Sequence, residues 1–67
     1  MSTLADYLSN LDHCLTAPEL ARLLKIHRIQ VYRLAAAGEI PSFRIASSVR
    51  FDPRAIARWM REKAVQQ

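Results

Sequence analysis

Cysteine occurs once in this 67-residue chain, at Cys14, so no intramolecular disulfide can form and the fold must hold without one. A lone thiol also suits a reducing compartment. Glycine too occurs once, at Gly38, which leaves no glycine-rich loop to cradle phosphates. The soft metal ligands are His13, Cys14 and His27; two are adjacent and their spacing fits no structural zinc site, so no metal is expected. No Ser-His-Asp arrangement or paired carboxylates are visible. A core of this size rarely yields more than ~3–5 kcal/mol of net stability, a narrow margin for strained and desolvated catalytic groups. The chain is therefore expected to be no enzyme, with no catalytic residue and no cofactor. No apolar run approaches the ~18 residues of a membrane span and no charged-then-apolar leader is visible, so a cytoplasmic place without a membrane partner is expected.

What is present is a folded composition, half apolar and a quarter charged, in which charge is segregated. Residues 1–21 hold Asp6, Asp12 and Glu19 and no basic residue, a block of −3. Residues 22–50 hold Arg22, Lys25, Arg28, Arg33, Arg44 and Arg50 against Glu39, a block of +5. Residues 51–67 hold Arg54, Arg58, Arg61 and Lys63 against Asp52 and Glu62, a block of +2. A concentrated basic block suggests a polyanion partner; a merely solvated surface is the bland alternative.

Leu4, Tyr7, Leu8 and Leu11 share one face of a first short helix, with Thr3 as cap and Asp6 favourable in its first turn. A second helix opens at Thr16-Ala17-Pro18-Glu19, where Thr16 and Glu19 have capping-box spacing and Pro18 loses nothing in the first turn. Leu20, Leu23 and Leu24 form its apolar face, and Ala21 allows another helix to approach. A third helix runs from near His27 to Ala37 and stops at Gly38, the residue that takes positive φ without a Cβ clash. Val31, Leu34 and Ala35 face inward, which turns Ile29, Arg33 and Ala36 outward with Gln30 and Tyr32 on the flanks. The connection from Lys25 to His27 is short enough to make the second and third helices cross sharply, as in a helix-turn-helix.

After Pro41 the period changes to two. In "FRIASSVRF" a three-residue loop, Ala46-Ser47-Ser48, pairs Ile45 with Val49, Arg44 with Arg50 and Phe43 with Phe51. That register puts four apolar residues on one face and two repelling arginines on the other, where an anion such as a DNA phosphate would sit. Asp52-Pro53 starts a last helix whose Ile56, Trp59 and Met60 are expected to cover the hairpin's apolar face, with Trp59 in the core rather than stacked on a base. The tail from Ala64 to Gln67 is expected to fray. The fold class is thus mostly α with a small two-stranded β-hairpin, a winged helix-turn-helix: residues 1–14 an N-terminal helix and connection, 15–64 the winged domain, 65–67 a tail.

The run "LTAPELARLLKIHRIQVYRLAAAGEIPSFRI…VRFDPRAIARWM" resembles the excisionase-type DNA-binding domain, related to MerR-like winged helices. The resemblance lies in Leu15-Thr16, Glu19, Ala21, Leu24, Ile26, Val31-Tyr32-Arg33-Leu34, Gly38, Ile40-Pro41, Arg50-Phe51 and Trp59. Three positions depart from the family pattern. Lys25 stands where Gly is usual in the turn, His27 where Ser or Thr caps the second helix of the motif, and Ala46-Ser47-Ser48 where the wing tip is Gly-rich.

The resemblance implies that the helix bearing Arg28, Gln30, Tyr32 and Arg33 enters the major groove, where Arg can read guanine and Gln adenine while Tyr or Arg can hold phosphate. It implies a wing contact to the adjacent minor groove or its backbone through Arg44, Ser47, Ser48 and Arg50. Arg22, Lys25 and His27 are expected to touch phosphates without reading sequence. The implied role is a phage- or mobile-element excisionase, a recombination directionality factor in a bacterial host cell that binds tandem sites, bends DNA and favours excision by an integrase. A small transcriptional regulator using the same domain is the alternative, although the long dimerising helix and effector region of MerR-type regulators are not seen; a protein-interaction module with an incidental basic surface is a third. The acidic N-terminal helix either packs on its own domain or meets the basic last helix of the next molecule, Asp6 and Asp12 facing Arg54, Arg58 or Arg61, in a head-to-tail self-association on DNA with cooperative binding.

Overall fold

A computed structural model describes residues 3–65. Its elements are α1 (Leu4–Ser9), α2 (Ala17–Leu24), α3 (Arg28–Ala36), β1 (Phe43–Ile45), β2 (Ser48–Arg50) and α4 (Pro53–Val65). This is the expected mostly α chain with a two-stranded hairpin. The last helix runs through Ala64 to Val65 where fraying is expected, and residues 66 and 67 lie outside the described residues. Among the described residues no helix is long and apolar enough to cross a membrane.

Each helix of the motif begins on a reciprocal pair of hydrogen bonds. The Glu19 backbone N–H donates to Thr16 Oγ1 at 3.3 Å, and the Thr16 N–H donates to Glu19 Oε1 at 2.9 Å. Thr3 and Asp6 repeat the pattern at α1. At α3 the missing Ser or Thr is replaced by His27, whose Nδ1 accepts from the Ile29 N–H at 3.3 Å while the His27 N–H donates to Gln30 Oε1 at 3.1 Å. Asp52 Oδ1 accepts from the Arg54 N–H to start α4. Helix stops are equally local. Lys25 adopts φ 60°, the left-handed region, so that the Ile26 N–H returns to the Ala21 carbonyl. Gly38 does the same at φ 72°, and the Gly38 and Glu39 N–H groups close on the Ala35 and Leu34 carbonyls.

The hairpin corrects the expected register. Two residues, Ala46 and Ser47, make the loop, and the pairs are Phe43 with Arg50, Arg44 with Val49 and Ile45 with Ser48. Ala46 takes φ 56°, the only positive φ in the loop, which is the pattern of signs of a type II′ turn. Shortening the loop by one residue moves β2 by one position and exchanges its faces. Arg44 therefore shares a face with Val49, and Arg50 shares the other with Phe43. The two arginines are not paired, so their mutual repulsion gives no ground for an anion between them. Phe43 and Ile45 are 40% and 58% exposed, not covered by α4.

Instead, α4 packs against α1, as α2 packs against α3. Leu8, Leu20, Val31, Phe51 and Ile56 are fully buried in one cluster, with Trp59 and Met60 partly buried against it. The N-terminal helix thus belongs to the same core as residues 15–64. Arg61 Nη2 lies 3.1 Å from Asp6 Oδ1 and 3.4 Å from Ser9 Oγ, an exposed pair within one molecule. Of the apolar face of α1, Leu8 is fully buried and Leu4 and Leu11 pack against the core, so α1 packs on its own domain, while Tyr7 on the same face stays 53% exposed. A second feature beyond local sequence is the bridge between Leu15 and Phe51, whose N–H and carbonyl groups exchange two 2.9 Å hydrogen bonds. It ties the wing's second strand to the residue that precedes Thr16.

Candidate nucleic-acid interface

Val31 is the buried residue of α3. At ~100° per residue, Ile29, Arg33 and Ala36 lie roughly 140–160° away from it, on the outer face of the helix. All three are exposed, and Arg33 is the one charge on that stripe. Tyr32 lies on one flank and Gln30 on the other, as the helical period requires.

Two concavities flank α3. The first is a hollow at the turn between α2 and α3, lined by Pro18, Ala21, Arg22, Lys25, Ile26, His27 and Arg28. The structure thus brings the three expected phosphate contacts, Arg22, Lys25 and His27, together and adds Arg28, which sits nearer to them than to the outer stripe. Because the His27 Nδ1 lone pair accepts from Ile29, the neutral ring carries its proton on Nε2, an exposed donor. The second concavity is a groove between α3 and the wing, lined by Thr16, Ala17, Tyr32, Arg44, Ser47, Ser48, Val49 and Arg50. It gathers Tyr32 with all four expected wing residues. Arg33 borders neither concavity and stands on the convex face between them.

Two of the expected contact side chains are engaged within the free protein. Gln30 commits its side-chain oxygen to the N–H of His27, the same oxygen that two-bond reading of adenine requires. In the free protein Gln30 serves the start of α3. Arg50 is half-buried and its Nη1 donates to the Val49 carbonyl at 2.8 Å, so its guanidinium is held back along its own strand. Arg44 is exposed. Sequence reasoning does not single out Thr16 and Ala17 as groove residues; the bridge from Leu15 to Phe51 places them there. Glu19, beside them, has its carboxyl held below the usual carboxylate range, first by the Thr16 backbone N–H and then by the Thr16 hydroxyl.

Helix, tight turn, outward-facing helix and adjoining wing lie in one chain order, and the profile of the helix-turn-helix domain family matches residues 14–64. The chain belongs to that family. Membership implies binding to double-stranded DNA, and within this helix-turn-helix domain α2 and α3 both line the two basic concavities, α3 through Arg28 in one and Tyr32 in the other. No curated protein and no solved structure matches the chain. For a helix-turn-helix domain the electrostatics are apt: Arg22, Lys25 and Arg28 place three positive charges around one hollow, and Arg44 and Arg50 place two beside the wing groove.

Proposed function

We propose that this helix-turn-helix domain binds duplex DNA in a sequence-specific manner and acts as an excisionase, directing integrase-mediated recombination toward excision. The observation that carries the reading is the position of α3. Its outer stripe presents Arg33 while its first residue closes a basic hollow and its Tyr32 flank closes the wing groove. With α3 in the major groove, the hollow meets one run of phosphates and the wing meets the next groove or its backbone.

The excisionase role rests on the resemblance of the run from Leu15 to Met60 to excisionase-type domains, in which the same helix and wing load on tandem sites beside an attachment site. Bending the duplex costs about 1–6 kcal/mol, offset by the added phosphate contacts. Head-to-tail association of neighbouring copies belongs to this reading through Asp12 and Arg58, since Asp6 and Arg61 are engaged with each other and Asp12 and Arg54 line one hollow of the same molecule.

The test has two parts. Affinity for a random duplex should fall steeply between roughly 50 and 200 mM salt, and an unchanged affinity removes the phosphate argument. On duplexes carrying several selected sites, loading should be cooperative and a circular-permutation assay should report a bend. Independent filling of adjacent sites on straight DNA rejects the excisionase role and leaves simple operator binding by a transcriptional regulator.

A further inference from the structure

The outer stripe of α3 contains one large apolar residue, which phosphate binding does not explain. Ile29 is 50% exposed, the second residue of the helix, next in sequence to Arg28 and one turn before Arg33 on the same stripe. We propose that Ile29 is a sequence-determining contact that reads the C5-methyl group of a thymine in the major groove. The inference rests on α3 entering that groove, as set out above.

Three properties of the residue support it. First, Ile29 shares the outward stripe with Arg33 at one helical turn, so any surface that meets the Arg33 guanidinium also meets the Ile29 side chain. In helix-turn-helix docking the N-terminal residues of the second helix lie against base edges, and Ile29 is at that end. Second, the side chain is held ready. A β-branched residue in a helix has one strongly preferred χ1, and the Ile29 backbone is fixed by its N–H bond to His27 Nδ1. Its γ-methyl group is therefore offered in a defined place with little ordering on binding. Third, the chemistry of the neighbours selects the occupant. A second copy docking the same face would set Arg33 against its own kind, whereas the major groove presents anionic phosphates for the arginine and, on thymine alone among the four ordinary bases, a methyl group for the isoleucine.

The test is a cycle between base and side chain. A preferred duplex is selected from a random pool, and each thymine is replaced singly by deoxyuridine, which removes only the methyl group. Binding of wild type and of Ile29→Ala is then measured by fluorescence anisotropy at one salt concentration, with circular dichroism showing that the exposed substitution leaves the fold intact. At one thymine, deoxyuridine should weaken wild-type binding about fourfold, the factor for one buried methyl group, and should leave Ile29→Ala unaffected. Ile29→Val, which keeps the branched carbon, should retain most of the discrimination. Wild-type binding that tolerates every deoxyuridine, or a penalty equally large in Ile29→Ala, overturns the inference while the DNA-binding reading stands. Failure to bind any duplex at low salt overturns both.

Discussion

Replacing Lys25 by Gly should make the protein more stable, although no contact is gained. Lys25 is held at φ 60° and ψ 39°, and its side chain is exposed. An L-residue in that region carries a cost of roughly 1–2 kcal/mol from its Cβ and the following carbonyl oxygen. Glycine escapes that cost but loses about 0.4–1 kcal/mol through the greater freedom of its unfolded chain. The balance favours Gly over Ala at this position by about 1 kcal/mol, equivalent to about 4–8 °C in the midpoint for a domain this small. Lys25→Ala is the control, because it removes the same charge and keeps the Cβ. Gly38→Ala is the mirror experiment: an added Cβ would meet nothing within 4 Å, so its cost is backbone strain alone, again about 1 kcal/mol. Thermal and urea melts followed at the helical circular-dichroism band read all three. Lys25→Gly melting at or below Lys25→Ala would refute the reasoning, because the left-handed turn would then carry no strain for glycine to relieve.

Phe51→Ala should leave the protein unfolded at room temperature, since emptying a fully buried Phe site costs ~3–5 kcal/mol, as much as a core of this size supplies; a cooperative melt would show the wing anchor to be dispensable. The start of α2 should weaken in acid. With the Glu19 carboxyl held below its ordinary range in the folded state, its contribution is complete above the unfolded-state value and is lost as pH falls through the folded one, so urea stabilities of wild type and Glu19→Gln should converge below the carboxylate range. Parallel curves down to pH 3 would contradict the capping bonds. Arg50→Ala should lower the salt slope of DNA binding by about one with little effect on folding. A melted variant would show its bond to the Val49 carbonyl to be structural.

The helix starts were legible because capping chemistry is local: Thr16, Pro18 and Glu19, or Asp52 and Pro53, specify a start with residues a turn apart. The stop at Gly38 and the inward face of Val31, Leu34 and Ala35 were legible for the same reason, and with them the outward stripe of α3. His27 and Gln30 have the same spacing as Thr16 and Glu19, so their capping box was within reach of sequence reasoning, but His is an uncommon cap. The wing register was not legible. The alternation from Phe43 to Phe51 favours the three-residue loop, which puts all four apolar residues on one face, and what decides against it is the left-handed φ of Ala46, to which an Ala-Ser-Ser tip gives no clue. The Leu15–Phe51 bridge and the Asp6–Arg61 pair join residues distant in sequence and leave no periodic trace. They place Thr16 in the wing groove and α1 on its own domain, and only the folded chain shows them.

The most direct test of the account is a titration of the ¹⁵N-labelled protein with a short duplex, followed by amide chemical shifts. The account predicts large shifts in residues 28–36 and 43–50 and around Arg22 and Lys25, with α1 and the outer face of α4 unmoved. Shifts concentrated on α1 and α4, with α3 silent, would contradict it.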